Sequence, residues 1–197
     1  MTDSATTIPP VPMRGRRDAR VTRWLGLAAV VFSGLYLASD VIEALQGGFS
    51  DPQLVLTFLA EAAIPFVVVG LYLTQRPKIG LLGFVSAAAY AYSYVFFTGT
   101  VVYAIFHSTN DYAALTKDLG AWMTMHGVVM VLSGLGFGVA VIRAGVLPAW
   151  TGLTLMVGVL AVAASQTAPE GVQVIAAAIR ATAFAGMGLA LVLRRRP

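Results

Sequence analysis

Long runs of apolar and small residues alternate with short polar breaks along this chain. Six stretches, 24–45, 54–74, 79–106, 119–142, 147–166 and 172–193, each match the length of about 20 helical residues that crosses a hydrocarbon core. The third is longer than a perpendicular crossing needs, so it is expected to tilt or to project past the outer interface. A transmembrane barrel would instead show segments of about ten residues alternating in polarity, whereas the run 25–37 is apolar or small on every side. The breaks are turn-forming in composition: QGGFSDP at 46–52, QRPK at 75–78, the segment 107–118, RAG at 143–145 and TAPEG at 167–171. Loops this short make successive helices antiparallel, and the pattern predicts an all-α membrane protein, a six-transmembrane-helix up-and-down bundle.

Composition agrees. Only 11% of the 197 residues are charged and 58% are hydrophobic, against about 25% charged in a soluble domain. Charge also gives an orientation. Arg14, Arg16, Arg17, Arg20, Arg23, Arg76, Lys78, Arg143, Arg194, Arg195 and Arg196 all fall on one side of the predicted bundle. Lys117 alone falls opposite, beside Asp111 and Asp118, and Arg180 lies within a span. Both termini are therefore expected to be cytoplasmic, in a bacterial plasma membrane, with Asp51 and Glu170 facing outward. The expected organisation is a disordered basic tail over 1–23, a transmembrane domain over 24–193 and a basic end over 194–197. The tail serves as an orientation signal that touches anionic lipid; without interleaved aromatic residues it gives no support for nucleic-acid binding.

With no cysteine, disulfide frameworks and thiolate sites are excluded. His107 and His126 sit at different depths with no clustered ligands, so no metal is expected, and the absence of Gly-rich phosphate loops and dinucleotide fingerprints leaves no cofactor to expect. Gly134 and Gly138, and Ala183, Gly186 and Gly188, have the small-residue spacing of close helix contacts, within one chain or between copies in a homo-oligomer.

Ionisable groups inside spans are costly and default to function. Asp40, Glu61, His126 and Arg180, on four different spans, all fall roughly 8 to 14 Å below the outer boundary at a rise of 1.5 Å per residue. Tyr36, Asp40 and Glu43 share a face of the first span, with Tyr94, Tyr103 and Trp122 available as an aromatic lining. Pro65 removes the helical donor to the carbonyl of Glu61. Arg180 needs an anionic or carbonyl partner away from water, and Glu61 or Asp40 is the natural one; the remaining acid is then a candidate proton donor, with His126 as relay. The first expectation is a pocket for a lipophilic or amphipathic small molecule, with Glu61, Asp40 and His126 in acid–base roles. Arg180, Glu43, Tyr36, Tyr94, Tyr103 and Trp122 would hold the substrate. A proton-coupled transporter or transporter subunit is the alternative, and a purely stabilising or partner-binding charge cluster is the third.

The stretch RAGVLPAWTG at 143–152 resembles a turn found in small multi-span membrane proteins of high-GC bacteria, which implies a cytoplasmic hairpin entering a Trp-anchored helix. The pair of intramembrane acids is similar to that of integral-membrane terpene cyclases, which implies acid-initiated cyclisation or isomerisation of an isoprenoid. That family is expected to have seven spans where this chain shows six, and no motif matches it residue by residue.

Overall fold

A computed structural model describes residues 14–194. Among these the chain forms seven helices and no strand: α1 (Arg14–Gln46), α2 (Asp51–Thr74), α3 (Gly80–His107), α4 (Tyr112–Leu119), α5 (Ala121–Ala144), α6 (Ala149–Ala164) and α7 (Glu170–Leu193). Five of them, α1, α2, α3, α5 and α7, are long and apolar enough to cross a membrane. The solvent-facing surface fits that build, because large apolar side chains such as Phe66, Leu81, Phe106 and Leu132 point outward along the helices. Lipid, unlike water, imposes no cost on them.

The spans expected from sequence match these helices within a few residues at most ends, with three departures. α1 begins at Arg14, so the basic segment 14–23, expected as part of a disordered tail, continues the helix; residues 1–13 and 195–197 lie outside the described residues. The segment 107–118, expected as a loop, contains α4, whose N-cap Asp111 accepts a 2.7 Å hydrogen bond from the backbone of Ala114. That bond satisfies one of the donors a helix start leaves orphaned. The fifth expected span shortens to the 16 residues of α6 because Pro148 caps its start and a turn at Ser165 to Ala168 ends it. At about 24 Å it is the shortest of the apolar helices.

Each long helix packs against the next along the chain, and α7 closes the circuit on α1, giving a ring in the order α1, α2, α3, α5, α6, α7. In lipid no hydrophobic drive pushes helices together, so close backbone approach supplies the attraction. A Cβ on Gly26 would lie 2.6 Å from the carbonyl oxygen of Gly188, and one on Gly152 equally close to that of Gly138. These two contacts join α1 to α7 and α5 to α6, so the small-residue stripes of α5 and α7 are used inside the chain.

The ring interior divides by depth. Toward the end that holds the N-terminus of α1 it is filled by Val68, Leu71, Phe137, Leu155, Met187 and their neighbours. Arg20, Arg23, Arg76, Lys78, Arg143 and Arg194 gather around this end, while Asp51, Asp111, Lys117, Asp118 and Glu170 lie at the other. A smaller apolar group, Leu54, Phe97, Val101, Ala104, Leu115 and Met123, closes that other end between α2, α3 and α5, with α4 lying over it. Between the two apolar regions lies the polar cluster.

Candidate functional site

Three helices bring polar groups to the same level because each carries one about ten residues, roughly 15 Å of helix rise, from the acidic end: Tyr36 on α1, Glu61 on α2 and Arg180 on α7. α3 adds Tyr90 and Tyr94, one turn apart on its inward face and both fully buried. α6 contributes no side chain but allows the approach. A Cβ on Gly158 would lie 2.7 Å from the Cα of Arg180, so only glycine lets α6 lie against α7 at this level.

Tyr36 is the hub. Its hydroxyl donates a 2.8 Å hydrogen bond to Oε1 of Glu61. The guanidinium carbon of Arg180 lies 4.7 Å from the centre of its ring. Its edge meets Tyr94, with ring centroids 6.3 Å apart at 74°, and Tyr94 in turn contacts Tyr90 at 5.3 Å. Tyr90 reaches across the ring to Phe184 of α7. Aromatic contacts thus span the interior from α1 through α3 to α7.

Several of these buried polar groups have no partner. Glu61 keeps 4% of its surface, yet its Oε2 makes no hydrogen bond; the hydroxyls of Tyr90 and Tyr94 lie beside one another, without close hydrogen-bond geometry and with no other partner. Arg180, 6% exposed as a residue, forms no side-chain hydrogen bond or ion pair among the described residues; its guanidinium meets the ring of Tyr36. Such a cation–π contact contributes about 2 kcal/mol when desolvated, less than the several kcal/mol that burying an ion costs. Buried polar groups in native proteins are satisfied with few exceptions. Here Glu61 Oε2 and two tyrosine hydroxyls lack close partners beside a guanidinium whose contact is an aromatic ring.

The expected site residues therefore separate. Glu61, Tyr36, Tyr94 and Arg180 come together as the sequence suggests, although Arg180 pairs with neither acid. Asp40, one turn above Tyr36, is half-buried and within electrostatic reach of Arg180 and Glu61. Glu43, a turn further out, accepts a 3.1 Å hydrogen bond from Gln53, which also donates to Thr57. This chain of contacts ties α1 to α2 on the acidic-end side of the cluster.

His126, Trp122 and Tyr103 lie elsewhere. His126 is buried in the seam between α5 and α3, stacked on Phe96 at 3.6 Å and 6°. Its Nδ1 is 2.8 Å from the carbonyl of Trp122 and its Nε2 3.1 Å from the hydroxyl of Tyr92. A carbonyl only accepts, so Nδ1 donates to Trp122, and Nε2 pairs with the Tyr92 hydroxyl. Both nitrogens are occupied and no contact links the ring to Glu61, which removes the geometric basis for a relay. Trp122 is 63% exposed on the outer surface, and Tyr103 stacks on exposed His107 at the end of α3.

Tyr90, one turn before Tyr94 on the same face of α3, joins the cluster as a further inward residue. No group of three or more His, Cys, Asp or Glu side chains suited to a metal occurs among the described residues. No family model, curated protein or solved structure matches this chain, and its site is read from its own residues.

Proposed function

We propose that this chain is a six-span membrane protein with both termini cytoplasmic, and that it binds the polar group of a lipophilic or amphipathic small molecule at the Glu61–Arg180 cluster in the outer half of the bilayer. The observation that carries the reading is the convergence of unpartnered polar atoms, Arg180, Glu61 Oε2 and the hydroxyls of Tyr90 and Tyr94, at one level of a bundle whose exterior is apolar. The charge asymmetry between the two ends supports the orientation, and α6 is short enough to require local thinning or a shallow placement.

In an enzymatic version of this reading, Glu61 is the acid, held through Oε1 by Tyr36 while Oε2 faces the guest, and the aromatic rings around it stabilise a developing cation. A transport cycle fits less well, because the other half of the ring is filled by packed apolar side chains.

Mass spectrometry of small molecules extracted from the purified protein tests the proposal. Wild type is expected to retain a specific species that a folded Arg180→Gln protein loses and His126→Asn keeps. Bulk lipid alone in all three proteins would refute the pocket, and loss from His126→Asn alone would return that residue to the site.

A further inference from the structure

The cluster has a sign. Around its centre the five guanidinium N–H groups of Arg180 have no acceptor, while Oε2 of Glu61 and the Tyr90 and Tyr94 hydroxyls, which lie beside one another and can donate or accept, make no close hydrogen bond. The obvious anionic partner is held away, because Tyr36 takes Glu61 through its hydroxyl while its ring takes the charge of Arg180. A cation–π contact uses the charge and consumes none of the guanidinium's five N–H donors. What is missing is therefore an acceptor with more than one lone-pair direction, the kind of group a guanidinium fork recognises in a carboxylate or phosphate.

We propose, building on the binding site above, that the guest is an oxyanion-headed single-chain amphiphile whose head sits at Arg180 and is steadied by the Tyr94 hydroxyl. An ammonium head would place a second cation beside Arg180, and an alcohol offers one weak acceptor to a donor-rich site. Asp40, Glu170 and Asp111, each within electrostatic reach of Glu43, lie with it on the acidic-end side of the cluster. They repel a free anion approaching from water, so the head arrives through the bilayer, carried by its chain. Small water-borne anions and lipid-borne ones share the head chemistry, and these acids separate them.

Binding of four probes to the full chain in phosphatidylcholine nanodiscs tests this: dodecanoate, dodecanol, dodecylamine and acetate. Dodecanoate is expected to bind at least about tenfold more tightly than dodecanol, the effect of one hydrogen bond to a charged group. Acetate and dodecylamine are expected not to bind. Arg180→Gln should erase the preference for dodecanoate. Tyr94→Phe, which keeps the ring and serves if Arg180→Gln fails to fold, should weaken dodecanoate by about three- to tenfold. Equal binding of dodecanoate and dodecanol would overturn the oxyanion assignment and leave an amphiphile site standing. Acetate binding as tightly as dodecanoate would overturn delivery through the bilayer. Failure of both chain-bearing probes, or binding indifferent to both substitutions, would overturn the site itself.

Discussion

Tyr36 and Tyr94 are phenols in the same cluster with opposite hydrogen-bond standing, and removing each hydroxyl separates stability from function. Tyr36→Phe leaves Glu61 with neither oxygen hydrogen-bonded, which is expected to lower stability by about 1 to 3 kcal/mol in thermal or denaturant unfolding. Tyr94→Phe deletes a hydroxyl that makes no close hydrogen bond, so ligand-free protein should unfold near the wild-type temperature or above it. Equal losses for both would mean that the Tyr94 hydroxyl is satisfied within the fold. At this scale the sequence disclosed depth but not direction. Distance from a helix end put Glu61, Arg180, Asp40 and His126 in one layer, since rise per residue is fixed. Which way a side chain faces depends on which neighbours flank its helix, and that order is a tertiary fact. Tyr92 and Tyr94 illustrate the gap: two residues apart, one is more than half exposed beside His126 and the other is buried against Tyr36.

Helices were legible because each apolar run is bounded by turn residues. Ile79 to Gly80 after the QRPK break and Gly145 in a left-handed C-cap of α5 mark ends that the sequence announced. α4 was not announced, since eight residues with one buried leucine carry little periodic signal. Nor was the role of Gly158 visible, because a glycine within a span reads the same whether it faces lipid or a neighbouring backbone. In the structure it faces the Cα of Arg180. Gly158→Ala is expected to force α6 from α7, lower stability by about 1 to 3 kcal/mol and weaken retention of the guest, although the residue touches none of the polar groups. Unchanged retention in a folded Gly158→Ala protein would mean that Arg180 is positioned by its own helix alone.

The whole molecule is a closed ring of helices with an apolar exterior, basic residues at one end and most of the acidic ones at the other. Connectivity followed from loop length; closure of α7 onto α1 did not, because nothing in the residues of two distant helices states that they meet. The absence of cysteine makes the proposed orientation directly measurable. In intact cells Lys117→Cys should react with a membrane-impermeant maleimide, whereas Lys78→Cys should react only after permeabilisation. The reverse pattern would invert the topology and place the cluster in the inner half of the bilayer.

The binding proposal stands or falls on whether the groups around Arg180 hold a guest. The most direct measurement is a crystal structure of the purified protein grown from a lipid phase, read at that centre. An elongated density is expected there, its polar end within hydrogen-bond distance of the Arg180 guanidinium and the Tyr94 hydroxyl. Arg180 paired directly with Glu61 or Asp40, with the tyrosine hydroxyls bonded within the fold and no density between them, would contradict it and make the layer a stabilising cluster.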